Sequence, residues 1–173
     1  DFSRIRLTTL PETLRNNTTL RDLNLSYNAL TSLEVLWTLS GLRGLELNNN
    51  NLSGLALEGI GRLSSLDTLD LSRASLAALP DELGSLAKLR KLILSNNALS
   101  TLPESMGRLS SLRELYLNNN ALTALPEALG ALRLNTLHLD SCRLETLPLA
   151  LLKQSRLSSL DVVGNQLTNL NGI

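Results

Sequence analysis

The sequence predicts a curved α/β solenoid that contributes one short parallel strand per turn. Two observations predict it. Of 173 residues, 49 are leucine, and they recur on the template L-x-x-L-x-L-x-x-N-x-L. All five prolines (11, 80, 103, 126 and 148) fall in one Leu-Pro step between copies of that template. A fixed period in the twenties is the mark of a chain that stacks like units on one another.

The template fits LRDLNLSYNAL from Leu20, LRGLELNNNNL from Leu42, LRKLILSNNAL from Leu89 and LRELYLNNNAL from Leu112. It fits LDTLDLSRASL from Leu66 and LNTLHLDSCRL from Leu134 with one substitution each, and a last copy, LSSLDVVGNQL, starts at Leu157. Successive starts lie 22, 24, 23, 23, 22 and 23 residues apart. One domain is expected over 1–173: a partial repeat at 1–19, six full repeats at 20–156 and a partial last repeat at 157–173.

The L-x-x-L-x-L step alternates with period two and is the strand. Leucines at template positions 4 and 6 face the core, and position 5 faces out. The ninth position turns the chain with a buried amide that can pair backbone of its own and the adjacent repeat. Asn28, Asn50, Asn97, Asn120 and Asn165 hold it, with Cys142 a tolerated substitute and Ala74 a weak rung. The return reads LPDELGSL, LPESMGRL and LPEALGAL. Proline suits a first helical position, and the acid beside it suits a helix start. Gly84, Gly107 and Gly130 are placed to end a short helical turn. The returns at 30–42 and 52–66 lack proline and are one residue short and one long, so irregular turns are expected there. Trp37 is expected to pack on the convex side.

This pattern resembles the leucine-rich-repeat family over essentially the whole chain. The resemblance implies a right-handed solenoid, with a parallel sheet on the concave face and short helices or 3₁₀ turns on the convex one. The Leu-Pro spacing resembles the subclass used by intracellular scaffolds, which implies a cytoplasmic protein-binding role. Other readings are the recognition or regulatory arm of a larger kinase, GTPase or ubiquitin ligase, or a structural part of a large assembly.

In this register the concave positions can be named. Position 5 holds Asp70, Ile93, Tyr116, His138 and Asp161 on five consecutive strands. Lys91 and Glu114 stand at position 3, Asp140 at position 7 with Ser26 and Ser95, and Tyr27 and Arg73 at position 8. An isoleucine and a tyrosine facing water in adjacent rows are not needed by the fold, and interface centres favour rigid amphipathic aromatics. The contact surface is therefore expected around Ile93, Tyr116 and His138, although cross-strand packing alone would also place them there. Arg21, Arg43, Arg90 and Arg113 line one margin at position 2 and read as a solvated charge row.

Sixteen basic residues balance sixteen acidic ones, which argues against a nucleic-acid partner. No apolar run is long enough to span a bilayer. A single cysteine and a single histidine leave no ligand set for a metal, and no cofactor is expected. His138 with Asp161 or Asp140 and Ser159 or Ser141 can be drawn as a catalytic triad, but on an open sheet with no oxyanion hole, so no enzymatic activity is expected. The chain starts and ends in mid-repeat, without the polar caps that solenoids need. Apolar, fraying ends are expected, flanked in a longer protein by more repeats or another domain.

Overall fold

The structure is a computed structural model that describes residues 1–168. Seven three-residue strands form one parallel sheet in sequence order: β1 (Asp22–Asn24), β2 (Gly44–Glu46), β3 (Thr68–Asp70), β4 (Lys91–Ile93), β5 (Glu114–Tyr116), β6 (Thr136–His138) and β7 (Ser159–Asp161). Register is in step throughout, so template position 4 pairs Leu23 with Leu45, Leu69, Leu92, Leu115, Leu137 and Leu160 in turn. The strands stay short because the next leucine, at position 6, already begins the turn away from the sheet.

The core is a stack of leucine layers. Leu45, Leu69, Leu92, Leu115 and Leu137 are fully buried, as are Leu47, Leu94, Leu117 and Leu139 one step on. Burying a leucine contributes roughly 1.5–3 kcal/mol, so the repeated layers carry most of the stability. The last layer is open by comparison. Leu160 is 37% exposed and Val163 74%. At the other end Phe2 and Ile5 are exposed. The part of the end-cap expectation that falls on 170–173 lies outside the described residues.

Each asparagine of the ninth position joins two turns. Asn97 Nδ2 donates to the Leu94 carbonyl of its own repeat and the Leu71 carbonyl of the one before, both at 2.9 Å. Its Oδ1 accepts from the Ala74 and Leu76 amides at 3.0 Å. Asn28, Asn120 and Asn165 also use both ends of the amide. Asn50 keeps its two donor bonds, but its buried Oδ1 has no partner. Cys142 replaces two amide donors with one thiol, 3.4 Å from the Leu117 carbonyl. Ala74 is fully buried and offers nothing.

The convex returns are 3₁₀ turns at Glu12–Leu14, Leu36–Thr38, Glu58–Arg62, Asp81–Ser85, Glu104–Arg108 and Glu127–Ala131, and one α-helical turn, α1 (Leu149–Leu152). Of the two returns without proline, that at 30–42 carries a turn of three residues, the same length as Glu12–Leu14 after Pro11, and that at 52–66 one of five. Trp37 sits in the first of these two, buried, with its indole N–H 3.3 Å from the Ala56 carbonyl.

Two expectations about these turns need correction. The prolines do not occupy the first helical position. Pro80, Pro103 and Pro126 are extended and precede the turn, and their carbonyls accept its first hydrogen bond. The acid is thus the first helical residue. Nor do the glycines cap. Gly84, Gly107 and Gly130 lie inside the turns, and none has positive φ. A Cβ on Gly84 would collide with the Ser105 carbonyl, and one on Gly107 or Gly130 with Ala128 or Ala150. Glycine is there so that successive turns can touch.

Candidate functional site

The in-step register sets the position-5 side chains in one row across the sheet, Asp70, Ile93, Tyr116, His138 and Asp161. Period-two alternation buries the neighbours of the first four and leaves each of the five partly exposed. Strands about 4.8 Å apart bring the three central side chains into mutual reach.

The centre of the row is wired together. The Tyr116 hydroxyl donates to Glu114 Oε2 at 3.1 Å. Lys91 Nζ lies 3.3 Å from the same carboxylate oxygen and 5.3 Å from the Tyr116 ring centroid. The His138 ring meets the Tyr116 ring edge-on, with centroids 5.0 Å apart and planes at 78°. His138 Nε2 is 3.3 Å from Ser159 Oγ. Burial pushes the Tyr116 phenol above its ordinary range, and the hydrogen bond to Glu114 pushes it further the same way. The Lys91–Glu114 pair is about two-fifths exposed on each side, so it contributes at most about 1 kcal/mol. Its main effect is to hold the tyrosine's orientation.

Other expected site residues are placed differently. Asp70 Oδ1 accepts from the Ser72 amide at 2.8 Å and hydroxyl at 2.7 Å, and Asp161 Oδ1 from the Val163 amide at 3.1 Å. Asp140 is half-buried at the sheet margin. Arg73 is exposed just beyond β3. Tyr27 is 44% exposed just beyond β1. It is four strands from Tyr116, about 19 Å, so it does not join the row. Position 7 is not uniformly a surface position either. Ser26 and Ser95 are buried, and their hydroxyls donate to the Oδ1 atoms of Asn24 at 2.6 Å and Asn118 at 2.5 Å.

Two features of the face were not read from the sequence. The first is a column of left-handed residues at position 8: Tyr27, Asn49, Arg73, Asn96, Asn119, Ser141 and Gly164 all have φ between 52° and 70°. Three asparagines and a glycine at one template position were the available signal, because these residue types tolerate that conformation best. Arg4 has φ 59° and falls in the same column, with its guanidinium carbon 4.0 Å from the Tyr27 ring centroid. Residues 1–6 therefore continue the repeat one turn earlier: the Phe2 amide donates to the Asn24 carbonyl and the Arg4 amide to the Ser26 carbonyl. The second feature is a groove of about 860 Å³ over the β1–β3 end of the face, lined by Asp22, Asn24, Gly44, Glu46 and Thr68, with Arg43 and Arg90 at its margin. Its signal was Gly44, the one position-3 residue without a side chain.

Among the described residues the triad drawn from the sequence is not assembled. Ser159 and His138 touch, but no carboxylate hydrogen-bonds the His138 ring among the described residues. The Ser159 amide is already committed to the Asn135 carbonyl. The Cys142 thiol is buried, and burial raises its pKa, which disfavours the reactive thiolate. No cluster of three or more His, Cys, Asp or Glu with metal-binding geometry occurs among the described residues. No helix there is long and apolar enough to cross a membrane.

Comparison with known proteins agrees with this geometry. The chain is 35% identical over 84 residues to leucine-rich repeat serine/threonine-protein kinase 1 of Caenorhabditis elegans, a match covering 47% of this chain and 4% of the kinase. Among solved structures, an internalin C2 of Listeria monocytogenes superposes with a TM-score of 0.80 at 27% identity, over 90% of this chain and 66% of that one. The leucine-rich repeat domain of the type III effector XopL gives 0.78 at 26%, over 86% and 54%. A second Listeria monocytogenes internalin, inlF, gives 0.83 at 20%, over 96% and 48%, and shares the fold. This chain thus spans a small fraction of the kinase and about half of two of these structures. The family model for a leucine-rich repeat region matches residues 5–120, and that for a single leucine-rich repeat matches 111–132. With the model matched over more than half its length, the chain belongs to the leucine-rich-repeat family.

Proposed function

We propose that the chain is a non-catalytic protein-interaction module whose partner docks on the concave sheet, centred on Ile93, Tyr116 and His138. One observation carries this reading. The three side chains stand in register on adjacent strands, half-exposed, with Tyr116 held by both Glu114 and His138. A side chain ordered before binding loses little entropy on binding, which is where interface anchors gain their affinity. Seven strands offer roughly 30 Å of sheet, enough for about 800 Å² per partner. Asp70, Asp161, Lys91, Glu114, Arg73 and Asp140 form the polar rim, and Tyr27 a separate outer contact. The Leu-Pro subclass and an intracellular location belong to this reading.

The test is crosslinking of the intact protein with mass spectrometry to recover the partner, with crosslinked sites mapped by face. Crosslinks clustered on the β3–β7 sheet rows support the proposal. Crosslinks confined to the 3₁₀ turns or the two ends defeat it.

A second reading, the recognition arm of a larger signalling enzyme, draws on the identity with the kinase. It uses the same face.

A further inference from the structure

The concave face carries a charge that the composition hides. Sixteen cations balance sixteen anions over the whole chain. On the face itself, positions 3, 5, 7 and 8 hold six carboxylates, Asp22, Glu46, Asp70, Glu114, Asp140 and Asp161, against one lysine, Lys91, and one arginine, Arg73. That lysine is spent on Glu114 and the Tyr116 ring. Three of the four arginines of position 2 are engaged elsewhere, and the fourth, Arg43, lies at the groove margin with Lys88 and Arg90 without pairing to Asp22 or Glu46. Arg21 donates to the Thr18 and Gly41 carbonyls, Arg113 to those of Ser110 and Leu112, and Arg90 pairs with Asp67. No lysine or arginine reaches salt-bridge distance of Asp22, Glu46, Asp70, Asp140 or Asp161 among the described residues.

Shape follows charge. Gly44 opens the groove beside Glu46, and the Asp22 carboxylate leans over the space where a Gly44 side chain would stand. Asp140 and Asp161 lie at the opposite end of the row. Ile93 and Tyr116 lie between.

We infer that the concave face receives an extended protein segment in which an apolar residue is flanked on both sides by lysine or arginine. One basic group enters the Asp22–Gly44–Glu46 groove, the apolar side chain packs on Ile93 and Tyr116, and the other basic group meets Asp140 and Asp161. Five strand spacings, about 24 Å, separate Glu46 from Asp161, a distance covered by about seven extended residues. This inference rests on the proposed concave contact and adds the partner's chemistry. Charges this exposed act through association rate and choice of partner, and salt screens them.

The experiment is selection of random dodecapeptides displayed on phage against the full chain. Binding of a synthetic copy of the most enriched peptide is then measured to wild type, to Glu46→Lys/Asp161→Lys and to Tyr116→Ala/Ile93→Ser. Thermal melts check that each variant is folded. The expected peptides carry basic residues on both sides of an apolar one. Their affinity should fall about tenfold or more on charge reversal and also as salt rises from about 0.05 to 0.5 M. A selection that yields no peptide dependent on Glu46 and Asp161 overturns the inference. Peptides that ignore charge reversal yet are lost on Tyr116→Ala/Ile93→Ser sink it while leaving the concave contact standing. Peptides indifferent to both variants sink both.

Discussion

The ring of Tyr116 meets that of His138 edge-on, 5.0 Å between centroids. The two residues are 22 positions apart in sequence and become cross-strand neighbours because β5 and β6 pair in register. With Glu114 accepting the Tyr116 hydroxyl proton, the phenol is fixed by contacts on two sides.

The phenol should titrate late. Its pKa is raised by burial first and by Glu114 second, so near-ultraviolet absorbance of a Tyr27→Phe background should show Tyr116 ionising above the usual phenol range. Glu114→Gln should lower the midpoint only in part, because the larger cause remains. The sign for stability follows from a folded pKa above the unfolded one. This contribution is complete below the unfolded phenol's pKa and is lost as pH rises through the folded value. A midpoint unaffected by Glu114→Gln would contradict the hydrogen bond.

The asparagine column should be improvable at its gap. Asn97→Ala removes four hydrogen bonds to buried backbone and should cost about 3 kcal/mol. Ala74→Asn restores donors to the Leu47 and Leu71 carbonyls and should add about 1 kcal/mol. Urea unfolding monitored by circular dichroism checks both. Destabilisation by Ala74→Asn would mean that the turn cannot house the amide there.

Gly84→Ala should destabilise by about 1–3 kcal/mol, because the new methyl meets the Ser105 backbone and not a movable side chain tip. Helix propensity alone would give the opposite sign, since alanine is favoured over glycine in a helical turn. The sign of the change in melting temperature decides between the two.

The left-handed column offers a paired comparison. Arg73 and Tyr27 adopt φ 52° and 55°, where asparagine is tolerated at less cost. Arg73→Asn should stabilise by about 0.5–1 kcal/mol. Tyr27→Asn gains the same relief but loses the stacking of Arg4, a contact of about 0.5–1 kcal/mol, so its net effect should be near zero. Equal gains at both sites would mean that the Arg4–Tyr27 contact contributes nothing.

What could be read in advance divides by kind of residue. Leucine at positions 4 and 6 has one use in this fold, and its period alone located all seven strands and their register, and so the Ile93–Tyr116–His138 row. Glycine has two uses, a turn of positive φ or room for a neighbour, and spacing cannot separate them. Gly84 was therefore read as a cap when it is a close contact. Serine fits either a buried or an exposed site, so the burial of Ser26 and Ser95 was not legible from their template position. The groove depends on a missing side chain at Gly44, a position-3 signal that the leucine template does not mark. Residues 1–6 carry neither leucine nor asparagine at the marked positions, so their place in the stack appears only through backbone bonds to β1 and the turn after it.

The central claim is that the partner docks on the Ile93–Tyr116–His138 row. It is tested most directly by measuring the affinity of the crosslink-identified partner for Tyr116→Ala/Ile93→Ser against wild type, with matching circular dichroism and melting temperature as the control for fold. The expected result is a loss of at least about 2 kcal/mol, roughly thirtyfold in Kd. Unchanged affinity in a folded variant would contradict the claim.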